Sequence, residues 1–121
     1  MRFLVTAAGA GPSVSVIKAI KGHPLTDGAF VAAVDVSRDS AGCHLADVGS
    51  LVPPASDPSY PTAILEVAER NGVELVIPIL DLEVPVLGAW SDRFAERGIV
   101  IAIDPPETTS RALDKLQAAQ L

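Results

Sequence analysis

Residues 3–13, FLVTAAGAGPS, decide the fold of this chain together with residues 14–20, VSVIKAI. The pattern predicts a strand, a glycine turn and an amphipathic helix, since glycine permits a tight turn and Pro12 suits the first turn of a helix. We expect the first backbone N–H groups of that helix to be unpaired at the positive end of its dipole. Such a terminus suits a phosphate or a carboxylate, so the stretch predicts an α/β sheet with an anion-capable edge.

Apolar runs alternate with amphipathic stretches along the rest of the chain. The predicted strands cover residues 2–6, 29–34, 48–52, 74–79 and 99–103. The predicted helices cover 12–21, a weak turn at 41–46, a segment from 59 or 60 to 72, then 82–96 and two short helices within 108–121. This order predicts right-handed crossovers and a doubly wound, five-stranded parallel sheet with helices on both faces, a Rossmann-like α/β fold.

Composition narrows the class of protein. Apolar residues make up 49% of the chain and aromatic residues 4%, which is typical of aliphatic strands buried on both faces. The net charge is −6 and basic residues are not clustered, so we expect no nucleic-acid partner. No apolar run is long enough to span a membrane. The chain has one cysteine, Cys43, which excludes an internal disulfide, and we therefore expect a cytoplasmic location. The sequence leaves open whether the protein forms homo-oligomers.

Ligands of doubly wound sheets bind at the carboxyl ends of the strands, where acids and turns collect in this sequence. The residues expected at that edge are Ala8–Ser13, Asp35, Pro53-Pro54, Leu80–Glu83 and Asp104. The glycine turn begins like a dinucleotide fingerprint, but Val14 occupies the position of its third glycine, which weakens the case for NAD. Asp35 stands near the place of a ribose-binding acid. The sequence leaves open whether this turn binds a ligand or is purely structural.

Two carboxylates follow the fourth predicted strand. Asp81 and Glu83 could bind a metal or a substrate amine, but an acid at this place more often caps the next helix, so we expect Asp81 to be an N-cap. Asp35 and Asp104 are likewise interpreted as turn and cap residues, or as partners in an interface. The sequence holds no Ser-His-Asp pattern and no spaced metal ligands, so no catalytic residue and no metal site is expected.

Several segments, taken in order, resemble the N-terminal domain of ATP-grasp enzymes, most nearly the large chain of carbamoyl-phosphate synthase. The resemblance lies in FLVTAAGAGPS at 3–13, AVDVS at 33–37, HLADVGSLVPP at 44–54, LVIPILDLE at 75–83, GIVIAIDPPE at 98–107 and ALDKL at 112–116. It implies a Rossmann-like pre-ATP-grasp domain over residues 1–110. Residues 111–121 would then begin a helix toward an ATP-grasp module outside this chain.

The resemblance also implies a function. In ATP-grasp enzymes, ATP activates a carboxylate as an acyl phosphate, which an amine or similar nucleophile attacks. By resemblance, the residues that would bind substrate or phosphate are Gly9, Ala10, Gly11, Ser13, Asp81 and Glu83, and the nucleotide-binding residue would be Lys115. The expected partners are the ATP-grasp module of the parent chain and a small-molecule carboxylate.

The lobes that hold ATP and Mg²⁺ in this family have no counterpart in these 121 residues. We therefore expect ATP and Mg²⁺ to serve the parent protein, no cofactor for this chain alone, and no catalysis by it alone. The uncapped helical pattern that runs to Leu121 agrees with a piece of a longer protein, although a helix that frays at a true terminus is also open. The alternative functions are a free-standing Rossmann-type dinucleotide-binding or regulatory module and an assembly domain.

Overall fold

Helices and strands alternate along the chain in the computed structural model, which describes residues 1–24, 28–37 and 39–102. The strands are β1 (Arg2–Val5), β2 (Phe30–Asp35), β3 (Val48–Leu51), β4 (Leu75–Ile77) and β5 (Val100–Ile101). The helices are α1 (Gly11–Gly22), α2 (Ala41–Leu45), α3 (Tyr60–Arg70), α4 (Glu83–Gly88) and α5 (Ser91–Ala95). None of the helices in these ranges is long and apolar enough to cross a membrane.

The five strands form one parallel sheet in the order β3-β2-β1-β4-β5. The central strand β1 pairs with β2 on one side and β4 on the other, so that Leu4 is level with both Ala32 and Val76. The chain winds outward from β1 to β3 and then crosses back through α3 to β4. This reversal makes the gap between β1 and β4 the topological switch point of the sheet. The predicted doubly wound parallel fold is confirmed.

Both faces of the sheet are covered, because successive residues of a strand point to opposite sides. Leu4 belongs to the larger cluster, which includes Ile64 of α3 and Phe94 of α5. Its neighbour Val5 belongs to the smaller cluster on the other face, with Ile17 of α1. A central strand buried on both faces needs aliphatic side chains throughout, which explains the composition of the chain.

The single helix expected over residues 82–96 is wrong. The structure has two short helices, α4 and α5, separated by Ala89 and Trp90. The Trp90 N–H donates to the Leu87 carbonyl at 3.0 Å, three residues back, and so tightens the chain into a turn after Gly88. Glycine is a weak helix former, and this local turn ends α4 before a longer helix can form.

The expected N-cap role of Asp81 is also wrong. The N-cap residue of α4 is Leu82, and its side chain makes no capping hydrogen bond. Asp81 is exposed to solvent, and Glu83 is the acid that accepts hydrogen bonds from nearby backbone N–H groups. The helices expected within 108–121, together with Asp104 and Lys115, lie outside the described residues.

Close backbone contacts hold the turn between β1 and α1. Ala7 has a positive φ of 48°, which is unusual for a residue with a side chain. The Ala8 N–H donates to the Val34 carbonyl at 3.0 Å, and the Gly42 N–H donates to the Ala8 carbonyl at 2.9 Å. A Cβ atom on Gly42 would lie 2.3 Å from that carbonyl oxygen, so α2 can approach the turn only with glycine at this position.

We predict that Gly42→Ala destabilises the chain by about 1–3 kcal/mol, because a methyl group would collide with backbone that cannot rotate away. Gly11→Ala is the matched control, since a Cβ atom there would meet nothing within 4 Å; its effect is expected to be within about 0.5 kcal/mol. Urea unfolding measures both. Equal stability of the two variants would contradict the contact between α2 and the turn.

We predict a charge-dependent contribution from Asp47, whose carboxylate accepts hydrogen bonds from Lys21 Nζ at 2.7 Å and the Val31 N–H at 2.8 Å. The Lys21 hydrogen bond, aided by that of Val31, lowers the pKa of Asp47 against the opposing effect of burial. Asp47→Asn is expected to lower the unfolding free energy at pH 7 by about 0.5–1 kcal/mol, since the pair is partly exposed.

The expected pH dependence of Asp47→Asn follows from the lowered pKa. A carboxyl group with a lower pKa in the folded state stabilises the fold above its unfolded value, near pH 4, and loses that effect as the pH falls through its folded value. The gap between wild type and variant should therefore shrink as urea unfolding is repeated from pH 7 downward. A gap that is independent of pH would mean that lost packing, not lost charge, causes the destabilisation.

Candidate functional site

A cleft of about 240 Å³ opens at the carboxyl edge of the sheet. Its walls come from the segments that follow four strands, including Ala7 after β1, Asp35 at the end of β2, Pro54 after β3 and Leu80 after β4. This is the edge at which strand-end ligands were expected, and it includes the switch point between β1 and β4. The volume is below the 300–1,000 Å³ typical of pockets for drug-sized ligands, so the cleft suits a small ligand or one arm of a larger one.

A buried carboxylate joins the two strands at the switch point. Thr6 Oγ1 donates to Glu83 Oε2 at 2.5 Å, and both residues are buried, with exposed fractions of 0% and 4%. The N–H groups of Ile79 and Leu80 also donate to Glu83 Oε2, each at 3.2 Å. The Ile79 N–H lies 2.9 Å from Thr6 Oγ1 as well. One oxygen of Glu83 is therefore fully engaged in holding the loop after β4 against the end of β1.

The other contact of the Glu83 carboxylate is with Tyr60. The hydrogen bonds from Thr6, Ile79 and Leu80 all go to Oε2, and the Tyr60 hydroxyl also lies against this carboxylate. Glu83 forms part of the cleft wall. The fold therefore anchors the carboxylate through Oε2 at the edge of the cleft.

Tyr60 brings a buried hydroxyl to the same end of the cleft. Its exposed fraction is 2%, and it lines the cleft. Burial raises the pKa of Tyr60 well above its ordinary value, and the charge of Glu83 and a hydrogen bond to the Glu83 side chain add to this rise, so the hydroxyl stays protonated. A protonated phenol beside a carboxylate can donate to it. The sequence interpretation treated Tyr60 only as the start of a helix.

The turn before α3 fixes the position of Tyr60. The N–H and the hydroxyl of Ser59 donate to Asp57 Oδ1 at 2.9 and 2.7 Å, and the Tyr60 N–H donates to the Asp57 carbonyl at 3.0 Å. These hydrogen bonds from Ser59 lower the pKa of Asp57. An Asp side chain that accepts a hydrogen bond from the residue two positions on is a common turn signal, and it could have marked the start of the helix at Tyr60.

Asp35 brings a second carboxylate to the cleft. A Cβ atom on Gly9 would lie 2.8 Å from Asp35 Oδ2, so the glycine turn and this acid are in close contact. No donor among the described residues reaches the Asp35 side chain. The sequence interpretation placed Asp35 at the correct edge but gave it a turn or ribose-binding role, since nothing local predicts its contact with Gly9.

The other residues predicted for the glycine turn differ in whether their polar groups are already hydrogen-bonded within the protein. Ser13 is buried, and its hydroxyl lies 2.8 and 2.7 Å from the carbonyls of Thr6 and Ala7, so it faces into the turn. The Ala10 N–H donates to the Ala7 carbonyl at 2.8 Å, and the Ser13 N–H to the Ala10 carbonyl at 3.1 Å. Within the described residues, the N–H groups of Ala7, Gly9 and Gly11 stay unpaired in this turn.

Fewer N–H groups are therefore unpaired than the sequence predicted, because the turn folds back on the carbonyls of Ala7 and Ala10. Of the two acids predicted after β4, Glu83 lines the cleft and Asp81 does not. Lys115 lies outside the described residues. No group of three His, Cys, Asp or Glu side chains in the described ranges could hold a metal ion.

The charge of the cleft is negative. Asp35 and Glu83 line it, and none of the described residues in its wall is basic. The remaining lining is mostly aliphatic, from Val36, Val52, Pro53, Pro54, Leu80 and Leu82. The arrangement combines two acids, a phenolic hydroxyl and an apolar wall, which can hold a ligand but offers no nucleophile paired with a base.

Several solved structures contain a domain whose fold is similar to that of this chain. The biotin carboxylase domain of a single-chain bacterial carboxylase superposes with a TM-score of 0.66 at 18% identity, over 100% of this chain and 30% of that chain. Glycinamide-RNase-transformylase T from Mycobacterium tuberculosis superposes with a TM-score of 0.62 at 20% identity, over 84% of this chain and 28% of that chain.

A third solved structure is the biotin carboxylase domain dimer of Hydrogenobacter thermophilus 2-oxoglutarate carboxylase, in complex with MgADP, ADP and bicarbonate. Its TM-score is 0.63 at 20% identity, over 83% of this chain and 22% of that chain. The chain thus spans 22–30% of the length of these structures, and the likeness shows the fold alone. A comparison with curated proteins finds no match.

The family described as "PylC-like, N-terminal domain" matches residues 3–102, which include the whole cleft and, apart from Arg2 at the start of β1, all of the described strands. The predicted resemblance to the N-terminal domain of ATP-grasp enzymes is confirmed at this level. This chain belongs to the PylC-like N-terminal domain family, and its fold is that of the pre-ATP-grasp domain of ATP-grasp enzymes.

Proposed function

We propose that this chain is the substrate-side and scaffold domain of an ATP-dependent carboxylate-activating ligase of the carbamoyl-phosphate synthase type. In such a reaction a carboxylate attacks the γ-phosphate of ATP to give an acyl phosphate and ADP. A nucleophile then attacks the acyl carbon and releases phosphate. The observation that best supports this role is the family match over residues 3–102, on a domain whose cleft lies at the ligand-binding edge of the sheet.

An exposed apolar rim supports a covering partner. Val36, Leu80 and Leu82 stand beside the cleft with exposed fractions of 60%, 42% and 75%. Clustered apolar side chains on a surface commonly mark an interaction site. We propose that the ATP-grasp module of the same parent protein covers this rim and closes the cleft over the substrate.

The cleft formed by the described residues does not suit Mg-ATP. Its wall carries the acids Asp35 and Glu83, whereas the phosphates of a nucleoside triphosphate require cations. The described ranges also hold no cluster of side chains that could bind a metal ion. ATP and Mg²⁺ would therefore be held by the remainder of the parent protein, in the cytoplasm. Lys115, which lies outside the described residues, is proposed to reach the nucleotide phosphates when that module is present.

The glycine turn is proposed to receive the anionic end of the substrate. Gly9 and Gly11 retain unpaired N–H groups at the first turn of α1, where the helix dipole favours negative charge. Ala10 and Ser13 would shape this turn by their backbone hydrogen bonds and would not contact the substrate through side chains. The domain would then position a substrate, while the chemistry of activation takes place elsewhere in the parent protein.

A dinucleotide-binding module is the competing function, and one observation favours it. Asp35 touches Gly9, which is the relation expected of a ribose-binding acid beside a glycine-rich turn. Against it, Val14 stands where close packing of helix and strand usually requires a third glycine. The two functions differ in the ligand that the isolated chain should bind.

We predict that the 121-residue chain neither hydrolyses Mg-ATP nor binds it with a Kd below about 1 mM, because its described cleft lacks cations. Isothermal titration calorimetry with Mg-ATP and, separately, with NAD⁺ and NADH measures this, and an ADP-release assay measures turnover. Steady hydrolysis would contradict the proposal. Micromolar binding of NAD⁺ or NADH would replace it with the dinucleotide module.

The proposed ligase activity is tested with the full-length parent protein. Given Mg-ATP, a pool of carboxylates and hydroxylamine, it is expected to release ADP only in the presence of a carboxylate and to yield the corresponding hydroxamate, which traps an acyl phosphate. ADP release that does not depend on any carboxylate, or the absence of hydroxamate alongside ADP release, would count against carboxylate activation.

A further inference from the structure

We infer that a second copy of this chain binds to the outer edge of β3, so that the two β3 strands pair antiparallel about a two-fold axis. The residues that would make this interface are Gly49, Leu51, Glu66 and Arg70, none of which lines the cleft. The inference therefore goes beyond the proposed function, and it depends neither on the ligand nor on the reaction.

The backbone of β3 directs hydrogen-bonding groups to its outer side. Among the described strands, β3 lies at the end of the sheet and pairs with β2 alone. The Val52 N–H donates to the Asp35 carbonyl of β2 at 3.0 Å. Because the backbone groups of alternate residues face the same neighbour, those of Ser50 also face β2, and those of Gly49 and Leu51 face the open edge. Their exposure agrees, since Gly49 and Leu51 are exposed and Ser50 is half-buried.

This edge lacks the features that usually keep strands of different copies apart. Proteins protect the edges of sheets with charged side chains, prolines, bulges or very short strands. The strand Val48–Leu51 contains neither a charged residue nor a proline, and its register with β2 is continuous, so no bulge interrupts it. The strand at the opposite edge, β5, has two described residues. Within the described residues, β3 therefore offers the longer open edge for extending the sheet.

A two-fold axis perpendicular to the sheet, midway between the Ser50 residues of the two copies, gives the pairing its register. In an antiparallel ladder, residues whose backbone groups face each other exchange both hydrogen bonds. Gly49 would exchange them with Leu51 of the partner subunit, and Leu51 with Gly49 of the partner subunit. The Leu51 side chain, which has an exposed fraction of 47%, would then lie across from a glycine and be covered by the second copy.

A charged stripe on α3 borders the same edge. A groove of about 300 Å³ lies between β3 and the flank of α3, and its helical wall consists of Ala63, Glu66, Val67 and Arg70. These positions share one face of the helix, because they are three or four residues apart. Glu66 and Arg70 are exposed, and neither forms an ion pair with a described residue. Both charges are therefore available to a molecule that binds at the edge.

Charge complementarity identifies a second copy as the occupant. The two α3 helices run antiparallel across the axis, so Glu66 faces Arg70 of the partner subunit, and Arg70 faces Glu66 of the partner subunit. A two-fold interface is self-complementary in this way. Each chain has a net charge of −6, which opposes association of two copies at long range. The two ion pairs offset this repulsion locally, which an extended peptide without matching charges could not do.

The first experiment is sedimentation velocity of the 121-residue chain from about 5 to 500 μM, at pH 7 and physiological salt. A monomer–dimer equilibrium is expected with a Kd of about 10–100 μM, since one short strand and one helix flank from each copy make a small interface. In NMR hydrogen exchange, the amides of Gly49 and Leu51 should exchange about two- to threefold more slowly at 500 μM than at 50 μM. The amide of Ser50 should show no such change, because it already faces β2.

Charge reversal tests the two-fold arrangement. Glu66→Arg and Arg70→Glu are each expected to weaken self-association at least about tenfold, because like charges then face each other. An equal mixture of the two variants should form dimers again, since each charge regains an opposite partner, and so should the double variant. Glu96→Arg is the matched control: it changes the net charge by the same amount at an exposed position outside the groove, and its dimerisation should match that of the wild type.

Leu51→Pro tests the strand pairing separately. It removes an outward N–H from each copy and leaves the hydrogen bonds to β2 in place, and it is expected to weaken self-association at least about tenfold. If this variant fails to fold, the charge-reversal set still decides. A chain that stays monomeric at 500 μM, a dimer that Glu66→Arg leaves intact, or mixed variants that do not associate would each overturn the inference. Slow exchange of Gly49 and Leu51 at every concentration would also overturn it, since another segment of the same chain would then cover the edge.

Discussion

The hydrogen bond from Thr6 to Glu83 is the interaction on which this edge of the molecule depends. It ties the last residues of the central strand to the loop after β4, across the point where the winding of the chain reverses. Any doubly wound sheet leaves a crevice there, because the connections on either side lead away from each other. In this chain a buried carboxylate bridges that crevice, and the backbone N–H groups of Ile79 and Leu80 hold the carboxylate in place. The geometry of the cleft follows from this bridge.

Glu83 is both a structural residue and a residue of the cleft wall. One oxygen is enclosed by three donors, while the residue also lines a cleft together with Asp35 and Tyr60. A side chain whose position is fixed by the fold can present a charge at a defined place without losing rotamer freedom when a ligand arrives. The same residue thus secures the switch point and gives the cleft its negative character.

The sequence predicted the elements well because apolar periodicity and glycine positions are local signals. It placed Gly72 and Gly98 at helix ends, where both have positive φ, and it predicted the parallel sheet. It failed where partners are distant along the chain. Nothing near Thr6 indicates Glu83, 77 residues away, and nothing near Gly42 indicates Ala8. Tyr60 was missed because its burial beside Glu83, 23 residues away, can be recognised only in three dimensions.

The hydrogen bonds around Ala8 have a consequence for how this edge meets a ligand. Its N–H is held by Val34 and its carbonyl by Gly42, while Ser13 secures the carbonyls of the residues before it. The bend before α1 therefore keeps its shape through contacts inside the protein. An incoming molecule would meet a preorganised surface, and little conformational entropy would be lost in ordering it.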